Sequence, residues 1–450
     1  MWEGVSGGDR RRLAGLVLVG FLLRITVVVA FQAWERPPDW DFAGELGAIA
    51  KSVAEGRGWS NPFDVESGPT AWQVPGFTSL MALVFTIFGV RTPASALVLQ
   101  VIISAASAMA AVPLFLLARR LFGDVAAWAG AALWGVYPNS IWFVMTSVET
   151  AGILPVLVLT LLVQVDCLGD AKSRSSFLKV GALLGAFALL RTTLLSLTPG
   201  IVAIQWFRSR LPLRERATRI GLLVAAAILL ISPWVIRNWV VLGAPGMRSN
   251  LGVELRFANS EARWRGLHDP EAPRAWFELH PSGSKAERDR YIELGEVAYA
   301  REAFQDFRRH LAAHPDRFAE LVAYRVFAFW FGHYPRPAVE YEGNLQTGLP
   351  LRQLKQLWAP AMTLLGFGGL LLARSRGLSI AVPGAALLLM PIPYYLTNVY
   401  GRYRMETEGV LIMMAGYLLG EVFLRMIPPS WSAPGEVLEI AQSTDSTRVG

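Results

Sequence analysis

The chain has 450 residues, of which 53% are hydrophobic and only 17% are charged. Soluble domains carry about 25% charged residues, so a soluble protein of two or three domains is excluded. The single cysteine, Cys167, cannot form an internal bridge, which excludes a disulfide-rich secreted fold. The mean hydropathy of +0.38 leaves an all-α polytopic membrane protein as the predicted class.

The formal net charge of +7 does not indicate nucleic-acid binding. Arg and Lys cluster in short loops between apolar runs, which is typical of a membrane protein whose basic loops stay in the cytoplasm. We therefore expect no nucleic-acid partner and contact with membrane lipids.

Ten membrane spans are predicted, because about 20 apolar residues cross a bilayer core as a helix. The run 177–207 is too long for one span and contains Arg191, Pro199 and Gly200, so it is divided into two short helices near Arg191. The first run follows three arginines and has no clean cleavage site, which predicts an uncleaved helix. The runs are 13–34, 94–118, 125–143, 148–167, 177–207, 219–236, 357–373, 379–397 and 408–425.

The orientation is predicted from the basic loops, which should all be cytoplasmic. They fit one topology only if the short segment 76–90 does not cross the membrane, so we predict an interfacial or re-entrant helix there. The basic sets are Arg10–Arg12, Arg119 with Arg120, Lys172 with Arg174, the five arginines within 208–219, and Arg374 with Arg376.

This topology divides the chain into six segments. They are 1–34, the cytoplasmic N terminus and first transmembrane helix; 35–93, the first extracytoplasmic loop with juxtamembrane helices; 94–236, a transmembrane module; 237–355, a large extracytoplasmic loop and substrate region; 356–425, the C-terminal transmembrane helices; and 426–450, a cytoplasmic tail expected to be disordered. The large loop has seventeen basic and fifteen acidic residues, and apolar spacing predicts helices over 285–312 and 316–331.

Carboxylates at the outer ends of two spans are the candidate catalytic groups. Asp39, Asp41 and Glu45 open the first outer loop, where they are suited to act as general bases or to hold a divalent cation. The alternative is that they are solvated charges at headgroup level. Glu149 is either a second catalytic carboxylate or a complement to a helix dipole. Trp72, between Pro69 and Pro75, indicates a rigid loop on the membrane interface.

Arginines predicted on the same outer side are the candidate ligands of an anionic headgroup. Arg191 lies between two apolar runs, where an ionisable residue serves a site or ion pair; the alternative is that it snorkels to headgroups. The guanidinium suits a phosphate because its planar fork donates two parallel hydrogen bonds. The other members of the set are Arg237, Arg248 with Asn250 and Glu254, and Arg402 with Arg404.

A metal site is not predicted in the large loop. His310 and His314 have the i, i+4 spacing of two ligands on one helix face, but no third ligand stands nearby.

The chain resembles the GT-C superfamily of polyprenyl-phosphate-sugar-dependent glycosyltransferases, and within it the family 39-like group of protein mannosyltransferases and aminoarabinose transferases. The motifs that carry the resemblance are the acidic first loop running into GELGAIAKSVAEGRGWSNPF, then GPTAWQVPGFTSLMALVFTIFG, ARRLFGDVAAWAGAALWGVYPNSIW, PWVIRN, RSNLGVEL with FANSE, and the late RYR.

The resemblance implies a GT-C helical module of about ten transmembrane helices with a mostly helical extracytoplasmic region. It implies a catalytic carboxylate in the first loop, among Asp39, Asp41 and Glu45, and a lipid phosphate held by basic residues. Glu149 matches the second-loop acid, Arg191 the basic residue between short spans, and Arg402 with Arg404 the late RYR.

The predicted function is inverting transfer of a sugar from a polyprenyl-phosphate donor to an acceptor on the outer face of a bacterial-type inner membrane. Asn250, Glu254 and Trp72 are assigned to the acceptor or sugar region. The acceptor, whether glycan, lipid or protein, stays open, as does a divalent cation at Asp39 and Asp41. The alternatives are a transporter or flippase of a lipid-linked sugar, which should carry polar groups midway through several spans, and a non-catalytic scaffold.

Overall fold

The structure is a computed structural model that describes residues 4–35, 44–146, 152–170, 173–269, 275–332 and 349–426. Within these ranges the chain is helical and contains no strand, only an isolated bridge between Ser60 and Pro69. The predicted all-α class is therefore confirmed. Of the predicted C-terminal tail, 427–450 lies outside the described residues.

The helices fall into three groups along the chain. The first group is α1 (Gly7–Ala30), α2 (Glu45–Ala54), α3 (Pro75–Phe88), α4 (Pro93–Met109), α5 (Ala111–Phe122), α6 (Asp124–Val136), α7 (Pro138–Thr146), α8 (Ile153–Cys167), α9 (Arg174–Ala188), α10 (Thr198–Arg208) and α11 (Leu213–Leu242). The second is α12 (Leu251–Ala258), α13 (Glu261–His268), α14 (Ala275–Leu279), α15 (Lys285–Leu294), α16 (Glu296–Ala313) and α17 (Pro315–Phe331). The third is α18 (Leu349–Ser375), α19 (Ala381–Leu389), α20 (Ile392–Leu396) and α21 (Met405–Met426).

The membrane character of the fold rests on long apolar helices. Six stretches of the described chain are long and apolar enough to cross a membrane: Gly7–Ala30, Pro93–Phe122, Ile153–Asp170, Leu213–Leu242, Leu357–Ser375 and Gly401–Met426. Shorter or broken helices occupy the other predicted runs. The chain is an integral membrane protein. The segment 76–90 is the short helix α3, and its position at the interface stays a prediction.

Two breaks in the helices have local causes. The predicted run 125–143 is divided between α6 and α7 because Pro138 disfavours a helical conformation at Tyr137, whose ψ is 118°. The division near Arg191 is confirmed: that residue is extended, and a short 3-10 helix over Thr192–Leu197 follows it.

Helix α21 lies in the centre of the bundle, with every residue from Val410 to Ala415 fully buried. It crosses α6 where Gly416 meets Gly130, and a β-carbon on Gly416 would lie 2.5 Å from the Gly130 backbone. Small residues allow such close approach between membrane helices. The short 3-10 helix Gly401–Arg404, which holds Arg402 and Arg404, leads directly into this central helix.

The first loop is packed against the second group of helices. Trp72 and Phe63 share an apolar cluster with Tyr291. The buried Glu296 at the start of α16 accepts hydrogen bonds from Thr70 Oγ1, from the Ala71 amide at 2.6 Å and from Tyr291 Oη at 2.7 Å. These contacts join the loop to the polar region as one body.

The single helix predicted over 285–312 is wrong. Gly295 separates α15 from α16, and its φ of +76° lies in the left-handed region that favours glycine. The break at Pro315 is confirmed, since α16 ends at Ala313 and α17 begins at Pro315.

Candidate active site

Glu45 is the first-loop carboxylate that the structure describes. It begins α2, directly after Gly44. Its Oε1 accepts a hydrogen bond from Ser282 Oγ at 2.5 Å and lies 3.9 Å from His280 Nδ1. The side chain is 17% exposed. Glu45 of the first loop and His280 of the large loop 237–355 are thus neighbours, although they are 235 positions apart in the chain.

His280 is neutral in this position. The Ser282 amide donates to its Nδ1 at 3.2 Å, so that nitrogen is an acceptor. Burial lowers the pKa of His280 to about 4; the nearby Glu254 and Glu287 carboxylates raise this pKa, and Arg256 lowers it. The contact with Glu45 is therefore not an ion pair at neutral pH.

Trp72 has no exposed surface. Its indole meets Phe63, His280 and Tyr291 edge to face, with ring centroids 4.9 to 6.0 Å apart. Its carbonyl accepts from Arg248 Nε at 2.9 Å. The residue is part of the wall behind Glu45, and its role toward a sugar or acceptor stays a prediction.

Arg237 and Arg248 both bind carbonyl groups of the first loop. Arg237 donates to Thr70 O at 2.7 Å and to Trp59 O at 3.1 Å, while its guanidinium lies over the Trp234 ring. These contacts give both arginines a structural role that the sequence did not predict. Their predicted role toward a lipid phosphate stays a prediction.

Arg191 is paired with a carboxylate. Its Nε lies 3.2 Å from Glu406 Oε1, and its Nη2 donates to Tyr394 Oη at 3.1 Å. Glu406 is fully buried and also accepts from Thr193 Oγ1. The ion-pair function expected for an ionisable residue at this depth is therefore present, and the sequence analysis missed the partner.

Arg404 is a structural residue in this fold. It is 5% exposed, pairs with Glu408 at 2.6 Å, and donates to Ala359 O at 2.8 Å and to the carbonyls of Phe329 and Trp330. It thereby ties the end of α17 and the middle of α18 to the 3-10 helix that precedes α21. Its predicted contact with a donor phosphate is untested, but these groups already use both terminal nitrogens.

Arg402 is placed among aromatic rings, 5.0 Å from the Tyr400 centroid and 5.2 Å from that of Tyr403. The second ring also lies 5.1 Å from the Arg191 guanidinium. Arg191 and Arg402, which are far apart in the sequence, therefore lie on the same ring, that of Tyr403. This proximity supports the expectation that these two arginines come together.

Charged side chains from several parts of the chain surround the phenol of Tyr400. Burial raises the pKa of its phenol; Tyr403 and Glu254 add to the increase, whereas Arg263 and Arg402 oppose it. The late loop, α12 and α13 therefore bring charged groups to one phenol. Sequence analysis missed Arg263 because the FANSE motif ends two residues before it, at Glu261.

Arg263 adds positive charge to the surroundings of Tyr400. Burial lowers the pKa of the nearby Arg325 to about 9, and the charge of Arg263 acts in the same direction. Within the described ranges Arg263 forms no ion pair with a carboxylate. It is thus a candidate for binding an anion beside Arg402.

Glu254 lies between the surroundings of His280 and those of Tyr400, and its charge acts on both residues. Its two carboxylate oxygens accept from Asn250 Nδ2 at 3.2 Å and from Asn398 Nδ2 at 3.3 Å. The site therefore runs from Glu45 past His280 and Glu254 to Arg263 and Arg402.

The architecture was compared with known proteins. No protein-family model matches the chain, and no curated protein matches its sequence. The apo crystal structure of the Archaeoglobus fulgidus oligosaccharyltransferase has a TM-score of 0.53 at 13% identity, over 97% of this chain and 52% of that one. The same organism's AglB, solved with an inhibitory peptide and a dolichol-phosphate, has a TM-score of 0.51 at 13% identity, over 98% and 55%.

The chain has the GT-C fold. It spans about half the length of the archaeal oligosaccharyltransferase, and identities this low establish the fold alone. The structure of ArnT from Cupriavidus metallidurans bound to undecaprenyl phosphate has a TM-score of 0.37 at 14% identity, over 93% of this chain and 79% of that one, a value too low to support an argument. The GT-C superfamily resemblance is confirmed at the level of fold, and the family 39-like placement stays a prediction.

Three of the predicted catalytic residues are not described by the structure. Asp39, Asp41 and Glu149 lie outside the described residues, so the geometry bears on Glu45 alone. Which first-loop carboxylate acts as the base stays open.

A metal site is not found in the described part of the chain, where no three His, Cys, Asp or Glu side chains come together. His314 is the C-cap of α16, and its ring centroid lies 5.1 Å from that of His310, but no third ligand joins the two among the described residues. One crystal structure of the Archaeoglobus fulgidus enzyme contains Zn and sulfate. The divalent cation at Asp39 and Asp41 stays a prediction, since both residues lie outside the described ranges.

Proposed function

We propose that this chain is an inverting glycosyltransferase that moves a sugar from a polyprenyl-phosphate donor to an acceptor hydroxyl or amine on the outer face of the membrane. The observation that carries the proposal is the GT-C fold with a first-loop acid, Glu45, beside His280, and with two arginines, Arg263 and Arg402, whose charges act on Tyr400. The AglB structure with the same fold contains a dolichol-phosphate.

The chemistry needs two functions from the protein. A carboxylate removes the proton from the acceptor as the acceptor oxygen or nitrogen attacks the sugar carbon. The bond from that carbon to the phosphate oxygen breaks on the opposite face, and the lipid phosphate leaves with the electron pair. Inversion follows from this single displacement.

The departing phosphate needs cations close to the place where its negative charge develops. Arg191 is balanced by Glu406 and Arg404 by Glu408. The charges of Arg263 and Arg402 both act on the phenol of Tyr400. Donors held in place before the reaction stabilise the developing charge without reorganisation. We therefore assign the lipid phosphate first to Arg402 and Arg263.

The carboxylate assignment is tested by sugar transfer with the purified protein in nanodiscs. The protein is given radiolabelled polyprenyl-phosphate sugars and membrane extract, and Asp39→Asn, Asp41→Asn and Glu45→Gln are compared with wild type. We expect one variant to lose at least about 100-fold in turnover, the usual contribution of a general base, while still binding donor. Glu66→Gln is the matched control, because that first-loop acid is 83% exposed.

Two outcomes would overturn the proposal. Binding of labelled lipid without transfer, equal in wild type and all three variants, would indicate a transporter of lipid-linked sugars. Turnover that survives all three substitutions would remove the first-loop carboxylate from the mechanism.

The phosphate assignment is tested by donor kinetics of Arg402→Gln and Arg263→Gln. Each should raise the donor KM by about tenfold, because a hydrogen bond to a charged group contributes about 1.5 kcal/mol. Arg265→Gln, on the same helix and near Glu278, should leave KM within about twofold. Unchanged donor KM in both variants would contradict the assignment.

A further inference from the structure

A charged cavity lies at the end of the bundle that the basic loops predict to be cytoplasmic. It has a volume of about 620 Å³ and forms where α8 and α10 end and α9 and α11 begin. Arg208, Arg210 and Arg219 line it together with Gln205 and a single acid, Asp170. None of these residues takes part in the candidate active site.

The carboxylates at this cavity are fewer than the arginines. Asp166 is shared between Arg120 at 2.5 Å and Arg208 at 2.9 Å. Glu215 is shared between Arg174 at 2.5 Å and Arg219 at 2.8 Å.

Asp170 is bound by Arg120 as well, so it adds no acid for the remaining arginine. Arg210 lines the cavity with no ion pair among the residues described here. Among the described residues, the five arginines around the cavity therefore exceed the three carboxylates by two charges, and this excess favours binding of an anion.

The surroundings of the cavity fit a lipid better than a soluble anion. Phe207 is 84% exposed and Leu213 is 66% exposed, on either side of the arginine-bearing turn. Exposed apolar side chains of this size at the end of membrane helices suit contact with acyl chains, while the arginines beside them are at headgroup level. Phe177 adds an apolar wall inside the cavity.

We propose that this cavity binds the phosphate of an anionic membrane phospholipid. Arg210 is the main ligand of the phosphate, and Arg208 and Arg219 add positive charge from the other lining residues. The site is separate from the donor site and would anchor the ends of α8 to α11 at the membrane surface. It does not depend on the proposed glycosyltransferase activity.

The test uses the full chain, purified in detergent and titrated with phosphatidylglycerol or phosphatidylcholine of equal chain length, with bound lipid counted by native mass spectrometry. Phosphatidylglycerol should bind at least about fivefold more tightly. Arg210→Gln should remove about fivefold of that affinity, the contribution of one arginine near a lipid surface. Arg214→Gln is the matched control, because that arginine is exposed on α11 and does not line the cavity.

The inference would be overturned by equal binding of the two lipids, or by equal effects of Arg210→Gln and Arg214→Gln. Inorganic phosphate is the third ligand in the titration. If millimolar phosphate displaces phosphatidylglycerol completely and binds as tightly, the cavity is a site for free phosphate and the lipid assignment is wrong. Unchanged thermal midpoints without lipid will confirm that both variants are folded.

Discussion

His280 is a buried histidine with carboxylates on several sides, yet burial dominates its charge state. Glu45 Oε1 lies 3.9 Å away, and Glu254 and Glu287 also act on the ring. Arg256 opposes them, and the Ser282 amide donates to Nδ1. The ring therefore holds Ser282 beside Glu45 as a neutral acceptor, which makes it a positioning residue for the first-loop acid.

The stability of the protein should depend on pH through this residue. The pKa is lowered to about 4 from an ordinary 6.5, so the unfolded chain binds the proton more tightly. The free energy of unfolding should then fall by up to about 3 kcal/mol as pH falls from 6.5 towards 4. Thermal midpoints in detergent from pH 7 to pH 4.5 would measure this loss.

Substitution separates His280 from other titrating groups. In His280→Gln the fall of the thermal midpoint between pH 6.5 and 4.5 should become shallower, whereas His268→Gln, at a half-exposed site, should retain the wild-type slope. Identical slopes in wild type and His280→Gln would contradict the assignment of this loss to His280.

At the scale of elements, close contacts between helices hold the bundle together. Helices α9 and α11 approach so closely at Gly181 that a β-carbon there would lie 2.0 Å from the Leu223 carbonyl oxygen. The contact is with backbone, which cannot move aside as a flexible side chain can. The charged cavity at the end of these two helices depends on the same pairing.

Gly181→Ala should therefore destabilise the protein, by about 1–3 kcal/mol as for other overpacked sites. The measurement is the thermal midpoint in detergent. Gly221→Ala on α11 is the control, since its β-carbon would meet nothing within 4 Å, and it should change stability by less than about 0.5 kcal/mol. Equal midpoints in the two variants would show that α9 and α11 separate easily.

At the scale of the whole molecule, the first loop is the part that joins the membrane bundle to the polar region. Arg237, near the end of α11, donates to the carbonyls of Trp59 and Thr70. Glu296 holds the same loop from the polar side. The position of Glu45 toward the rest of the candidate site depends on these anchors.

Arg237→Gln should make the first loop more mobile even when no lipid-linked sugar is present. Backbone hydrogen exchange over residues 59–71 should become about tenfold faster, because hydrogen bonds from a charged group are lost. Arg290→Gln, which breaks an exposed pair with Glu302, should leave that exchange unchanged. If Arg237 served only as a donor ligand, exchange without donor would stay at the wild-type rate.

The all-α membrane class, the helices in the apolar runs and the division at Arg191 could all be predicted from the amino-acid sequence. This is possible because the hydrophobic effect and the breaking of helices by local residues are encoded in short stretches of chain. The sequence also indicated that the first-loop acids are suited to remove a proton and the outer arginines to bind a phosphate. It overlooked Gly295, whose positive φ is a property of the fold around it.

Only the tertiary structure decided which arginines are already neutralised. An arginine that pairs with a carboxylate and one that awaits a phosphate have the same side chain, and the difference is a neighbour far away in the chain. Arg191 meets Glu406, 215 positions later, whereas Arg263, which no motif marks, has no carboxylate partner among the described residues. Charge balance is a property of distances in space, and these distances exist only once the helices have packed.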